Sequence, residues 1–278
     1  VTAAPTAAPT VEELEFVHQL AVEAGKIVMG FYGTDVDVAD KGGQPVTAAD
    51  HASNDLIVRE LQKRFPDDAL LSEETEVTDD SWRTARRCWI VDPLDGTSDF
   101  VKNRVGFAVM IGLAVEGRPA LGVVEVPKAQ RTFLGLVGHG AEEVCEGERK
   151  VLQCSTRATA PELRVICSIA HRDAALEATL DALQPKETLS VGSVGYKVGK
   201  ICADEADMYV APTSHISLWD TAAPEAILHA AGGRFLNMDG EPLVYNSELL
   251  NHPRGLMATN GACAADVVAR LAGKLPAF

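Results

Sequence analysis

Positive charge is the first thing this chain has little of. It carries 25 Lys and Arg against 40 Asp and Glu, a net charge of −15. A protein that grips a nucleic-acid polymer gains affinity from cations on phosphates, so DNA and RNA are not expected partners. An acidic chain can still handle a small anion where metals and a few cations supply local positive charge. Long apolar runs are also missing. None reaches the roughly 20 residues that cross a bilayer, so no membrane span is expected. The six cysteines, Cys88, Cys145, Cys154, Cys167, Cys202 and Cys263, include no CxxC pair. That spacing argues against a zinc site and reads as reduced, mostly buried thiols in a cytoplasmic protein. Residues 1–10, VTAAPTAAPT, lack a basic start and an apolar core. They are expected to be a flexible tail and not a signal peptide. No internal repeat is visible.

What is present is ample core. Hydrophobic residues make up 46% and charged residues 23% of 278 positions, enough for one large domain or two lobes. Apolar residues at helical spacing (Leu14, Val17, Leu20, Ala21, Ala24, Ile27, Val28, Phe31) predict a helix over Val11 to Tyr32, stopped by Gly33. A second helix is expected over Thr47 to Phe65, and Lys41-Gly42-Gly43-Gln44-Pro45 reads as a loop. Phe107 to Val115 and Leu121 to Val126 read as strands joined through Glu116-Gly117-Arg118-Pro119, with Arg131 to Val137 as a third. Trp82 and Arg83 are expected on a loop. Gly138 to Lys150 reads as exposed hairpins and marks the expected lobe boundary. After Leu163 strands and helices alternate up to a last helix over Ala262 to Ala272, which is α/β behaviour. The expected organisation is an α+β lobe over 11–150 and an α/β lobe over 151–278, with a cleft between them.

The most informative stretch is Trp89 to Asp99. An apolar strand, Cys88 to Val91, runs into Asp92-Pro93-Leu94-Asp95-Gly96-Thr97. Pro and Gly around two acids predict a tight turn with both carboxylates at one strand end. Anionic groups held that close repel each other unless a cation sits between them. Hard oxygen donors select Mg²⁺, Mn²⁺ or Ca²⁺. Other acids stand at element ends. Asp50 opens the second helix and reads equally as charge compensation for that N-terminus. Glu73 and Glu74 follow Ala69-Leu70-Leu71-Ser72, where solvated loop charge is the plain alternative. Asp220 follows Trp219 ahead of Thr221-Ala222-Ala223, and locally an N-cap accounts for it. His139, His229 and His252 have no ligand partners at useful spacing and read as structural. Arg104 is within chain reach of a phosphate, but nothing decides its role.

Taken in order, Thr47-Ala48-Ala49-Asp50, Ser72-Glu73-Glu74, Asp92-Pro93-Leu94-Asp95-Gly96-Thr97 and Trp219-Asp220-Thr221-Ala222-Ala223 resemble the inositol monophosphatase-like superfamily of metal-dependent, lithium-sensitive phosphatases. The likeness runs from about residue 12 to 272. It implies a five-layered αβαβα sandwich of the inositol monophosphatase/fructose-1,6-bisphosphatase type. It implies Glu73, Asp92, the Leu94 carbonyl, Asp95 and Asp220 as ligands for two or three Mg²⁺ ions, with Mn²⁺ as a substitute. It further implies Asp50 and Thr97 as the dyad that takes a proton from the attacking water. Glu74 would orient water, and Gly96 and Thr97 would set backbone N–H groups near the phosphate.

Within that superfamily the chain is most similar to the 3′(2′),5′-bisphosphate nucleotidases. Ser98-Asp99-Phe100-Val101-Lys102 resembles their Lys-Glu-Phe-Ile-Lys type. Ala211 stands where inositol monophosphatases carry a Glu that grips inositol hydroxyls. Ser168-Ile169-Ala170-His171-Arg172 and Gly192-Ser193-Val194-Gly195-Tyr196-Lys197 resemble elements that line the nucleotide, with Ile169 and Ala170 replacing a polar pair. The resemblance thus implies Ser168, His171, Ser193 and Lys197 as substrate contacts and a role in sulfur metabolism. The expected activity is removal of the 3′-phosphate of 3′-phosphoadenosine 5′-phosphate. The alternative is an inositol monophosphatase or another sugar-phosphate phosphatase. An idle phosphometabolite-binding protein is disfavoured, because every inferred ligand is intact. The expected partner is a small phosphorylated metabolite, with a homodimer left open.

Overall fold

A computed structural model describes residues 8–34, 38–41, 44–168 and 173–274. The chain opens with α1 (Val11–Phe31), a ribbon of β1 (Val38–Lys41) and β2 (Gln44–Thr47), and α2 (Ala48–Arg64). Strand β3 (Ala69–Ser72), short α3 (Ser81–Thr84), β4 (Arg87–Asp95) and short α4 (Thr97–Val101) follow. A meander comes next: β5 (Ala108–Val115), β6 (Arg118–Val126), β7 (Arg131–Leu136), β8 (Gly140–Cys145) and β9 (Glu148–Leu152). Alternation then begins with β10 (Arg164–Ser168), α5 (Ala174–Leu183), β11 (Glu187–Val191), α6 (Val194–Cys202) and β12 (Met208–Ala211). It ends with α7 (Leu218–Ala230), β13 (Arg234–Leu236), β14 (Leu256–Thr259) and α8 (Ala264–Leu271).

Strands β3 to β9 form one sheet in chain order, antiparallel apart from β3–β4. The other large sheet has the order β11-β10-β12-β14-β13 and is parallel over its first three strands. Successive strand residues point to opposite faces, and the burial follows. Val109, Ile111 and Val123 pack under Val17, Ala24 and Val28 of α1 and Ile57 of α2. Their neighbours Met110 and Val124 face the other way, into a central core with Val198 of α6, Ala222 and Ile227 of α7, and Ile166 and Tyr209 of the second sheet. Val165, Cys167 and Val210 cover that sheet's outer face with Leu176 of α5 and Val267 of α8. Helices, sheet, helices, sheet, helices: the αβαβα layering follows from these three cores. It also explains why β5 reads as an unbroken apolar run, since both of its faces are covered.

The middle helix α7 carries Asp220, and three glycines set its height over the first sheet. Gly112, Gly122 and Gly135 are in register across β5, β6 and β7. A Cβ on Gly122 would collide with the Ala223 carbonyl, and one on Gly135 with the Ile227 Cα. This lane lets helix backbone rest on sheet backbone. Gly122→Ala is therefore expected to destabilise the protein by about 3 kcal/mol, at the upper end of overpacking costs. Urea unfolding reads this as a lower midpoint, and an unchanged midpoint would contradict the close approach.

Several expectations need correcting. Asp92 does not end its strand. Strand β4 runs on to Asp95 through a register shift against β5 between Asp92 and Asp95, because an Asx contact, Leu94 N–H to Asp92 Oδ1 at 3.0 Å, absorbs the irregularity. The β5–β6 connection is only Glu116-Gly117, both at positive φ (51° and 73°), which suits the twist of a tight hairpin. Lys41, Gln44 and Pro45 belong to the β1–β2 ribbon, where an outer edge spares Pro45 a ladder bond; Gly42 and Gly43 lie outside the described residues. Trp82 is not on an open loop. It is buried in the central core from α3, since an indole has more to gain from that cavity than from water. Among the described residues no helix is long and apolar enough to cross a membrane.

Candidate active site

Strand β4 delivers the first two acids. Asp92 is 1% exposed, while Asp95 one bulge later is partly open. Gly96 then turns the chain with φ +85°, and a Cβ there would lie 2.6 Å from the Gly106 carbonyl. Only glycine satisfies both demands, and the turn sets Thr97 at the start of α4. Asp220 arrives from α7. It is not the N-cap; Ser217 is, and Asp220 sits three residues in, its Oδ2 accepting from the Ser217 N–H at 2.6 Å. Asp92, Asp95 and Asp220 each offer an oxygen within 4.8 Å of the others.

The electrostatics follow from that crowding. Burial raises the Asp92 carboxyl well above its ordinary range, and Glu73, Asp95 and Asp220 push it further. Asp220 is likewise raised by burial, then by Asp95 and Glu73. Asp95 is raised by burial, but Lys197, the Ser193 hydroxyl and the Gly195 N–H draw it back. Ser193 Oγ donates to Asp95 Oδ2 at 2.6 Å and Gly195 N at 3.2 Å, so the N-terminus of α6 faces this carboxylate. Glu73 lies beside β4, its N–H on the Val91 carbonyl at 3.1 Å. An all-oxygen, all-anionic cluster of this kind is a hard-cation donor set.

A second unit adjoins it. Thr97 Oγ1 lies 3.2 Å from Asp50 Oδ1 and 3.0 Å from the Leu94 carbonyl. Asp50 is held by Thr47, whose N–H and hydroxyl both donate to Oδ2 at 2.8 and 2.7 Å. Burial raises the Asp50 carboxyl, against the Thr47 and Thr97 hydrogen bonds. In the sequence Thr47 stands out only as the first residue of the Thr47–Asp50 motif, although Thr-x-x-Asp at a helix start is the signal of a capping pair. Ser53 Oγ on the Pro93 carbonyl, 2.8 Å, fastens α2 to the bulge. Glu74 points toward His51, with Oε2 4.0 Å from Nδ1.

The expected substrate residues are placed differently from one another. Ser168 ends β10, half-buried. Ser193 caps α6 and is engaged with Asp95. Lys197 is 1% exposed; its ammonium donates to the Gly192 carbonyl and stands 4.8 Å from the Tyr209 ring centre. Burial brings its pKa down to about 8, while Asp95 and Asp220 oppose the fall. His171 lies outside the described residues. Arg104 is 3.5 Å from the buried Asp99 carboxylate. His229 and His252 are both held neutral by burial, at about 4.

A family model described as "Inositol monophosphatase family" matches residues 10–274. A relative from Escherichia coli (strain K12), named 3′(2′),5′-bisphosphate nucleotidase CysQ, is 38% identical over 84% of this chain and 93% of its own. A CysQ of the same name from Haemophilus influenzae is 29% identical over 88% and 91%. Among solved structures, the Thermotoga maritima IMPase superposes with a TM-score of 0.80 at 26% identity, covering 94% of this chain and 97% of that one. CysQ from Bacteroides thetaiotaomicron gives 0.76 at 28%, over 90% and 97%. The match spans the acids of β4, the Asp50–Thr97 pair and the helix of Asp220 alike, and the chain belongs to the inositol monophosphatase family of phosphatases.

Proposed function

We propose that this protein removes the 3′-phosphate of 3′-phosphoadenosine 5′-phosphate by Mg²⁺-dependent attack of water. The observation that carries the substrate is the 38% identity, across 84% of the chain, to relatives named 3′(2′),5′-bisphosphate nucleotidase. Ala211 supports it, being a buried apolar residue at the end of β12 where an inositol-binding site would call for a carboxylate. The metal assignment is Glu73, Asp92, Asp95, Asp220 and the Leu94 carbonyl, with two or three Mg²⁺ ions and Mn²⁺ as substitute. Its support is the three-carboxylate cluster. Bound divalent ions would neutralise phosphate oxygens and lower the pKa of a coordinated water.

The chain's own groups do the rest. Thr97 Oγ1 takes the proton of the attacking water and passes its own to Asp50, a base whose raised pKa suits it to the task. Glu74 orients water. Gly96 and Thr97 offer backbone N–H groups to the phosphate. Ser168, His171, Ser193 and Lys197 are assigned to the nucleotide side. No covalent intermediate forms, so a chiral phosphate would invert. In this reading the protein works in the cytoplasm on a by-product of sulfur assimilation.

Phosphate release from 3′-phosphoadenosine 5′-phosphate and from inositol 1-phosphate, measured side by side with Mg²⁺, tests the substrate. The nucleotide is expected to win by about 100-fold in kcat/KM, the worth of one lost charge-assisted hydrogen bond. Preference for inositol 1-phosphate would favour the second reading, an inositol monophosphatase, which the likeness to the Thermotoga IMPase supports.

A further inference from the structure

Asp220 is the acid of the three-carboxylate cluster that the second half of the chain supplies. Its carboxylate is oriented by the Ser217 N–H, so its position is only as good as the corner at residues 214–218. That corner is gripped by three residues from beyond α7. The Leu218 N–H donates to the Leu250 carbonyl at 2.9 Å, and the His252 N–H to the Ile216 carbonyl at 2.8 Å. Ser217 and Asn251 form an antiparallel bridge. Two side chains add to the backbone bonds. Asn251 Nδ2 donates to the Ser214 carbonyl at 2.8 Å. His252 Nε2 shares a 2.8 Å hydrogen bond with the hydroxyl of Thr221, the residue after Asp220.

The clasp is itself anchored to α7. The Tyr245 ring meets the His252 ring edge to face at 5.7 Å. Tyr245 OH donates to Glu225 Oε2, 2.7 Å away and fully buried. The two polar side chains add contacts on either side of Asp220, one at Ser214 and one at Thr221. His252 is 5% exposed, and a buried polar ring is retained only where its hydrogen bond is made.

We propose that Asn251 and His252 are positioning residues for Asp220, so that the metal affinity of the acid cluster depends on this clasp. The inference rests on the reading of Asp220 as a metal ligand. Groups that orient a ligand without touching the ion typically change affinity by about 10- to 100-fold.

Mn²⁺ binding measured by isothermal titration calorimetry on the full chain is the test. His252→Phe keeps the aromatic packing and loses the hydrogen bond; it is expected to weaken Mn²⁺ binding ~10-fold. His252→Gln, which can still reach the Thr221 hydroxyl, is expected to recover most of that loss. A purely structural role would lower the melting temperature of His252→Phe while leaving the affinity of the folded protein unchanged, and that result would overturn the proposal. Should His252→Phe not fold, Thr221→Val reports on the same bond with the same expectation. Wild-type protein that binds no Mn²⁺ would overturn both this proposal and the metal reading; equal binding by wild type and variants would overturn this proposal alone.

Discussion

Asp92→Asn is expected to lower activity and raise the stability of the metal-free protein. Asp92 is buried against Glu73, Asp95 and Asp220, which together hold its carboxyl well above the ordinary range. The sign follows from proton linkage. A carboxyl with a raised folded-state pKa binds protons more tightly in the folded chain than in the unfolded one. Its favourable contribution is present below the unfolded value, about 3.9, and is lost as the pH rises through the raised folded value. At neutral pH without metal the cluster therefore costs stability, and a neutral Asn removes part of that cost. A gain of ~1 kcal/mol, about 2 °C in Tm for a chain of this size, is the expected scale, largest at neutral pH and vanishing toward pH 4. With Mg²⁺ present the order reverses. On the proposed assignment of Asp92 as a ligand, the variant is expected to lose several kcal/mol of charge stabilisation in the transition state, ~10³-fold in kcat. Thermal melts with and without Mg²⁺, paired with phosphate release, check both halves. A variant less stable without metal, yet fully active, would contradict the account of the cluster.

Thr97→Val should separate proton transfer from metal binding. Valine keeps the shape of threonine and removes the hydroxyl that lies 3.2 Å from Asp50. General-base contributions run to about 10²–10⁴-fold, so kcat at saturating Mg²⁺ should fall within that range. The Mg²⁺ concentration for half-maximal rate should stay near the wild-type value, because the Thr97 hydroxyl is engaged with Asp50 and the Leu94 carbonyl and is not assigned to an ion. Thr97→Ser should retain most of the activity. Asp50→Asn should resemble Thr97→Val. An amide oxygen still accepts from the Thr47 N–H, so the start of α2 survives while the base is gone. A large rise in the Mg²⁺ requirement with kcat intact would reassign both residues to metal binding.

Much of the frame was legible because its signals are local. The apolar spacing of α1 and α2 gives their ends to within a residue, since Thr10 and Thr47 cap them and burial keeps the 3.6 period. The meander from β5 to β7 and the later alternation were equally readable. Strand β13 was not: three residues carry no periodicity. Helices α3 and α4 are too short to show one. The run of β4 through Asp95 was hidden because Pro93 signals a turn, whereas here an Asx contact carries the strand past it and the turn comes only at Gly96. The site divides in the same way. Its acids stand in compact motifs, each with a plain local alternative, and their order along the chain is what picks them out together. Part of what holds them is local, as Thr47 holds Asp50 and the Ser217 N–H holds Asp220, but other partners come from far along the chain. Ser193 is 98 positions from Asp95, Thr97 is 47 from Asp50, and His252 is 31 from Thr221. Lys197 shows what residue type alone does not reveal: its ammonium donates to the Gly192 carbonyl and faces Asp95 and Asp220.

The most direct measurement is phosphate release from 3′-phosphoadenosine 5′-phosphate by protein stripped with EDTA and freed of the chelator. The account predicts no release without added metal and full turnover on addition of Mg²⁺. Release that proceeds unchanged in the absence of divalent ions, or none in their presence, would contradict it.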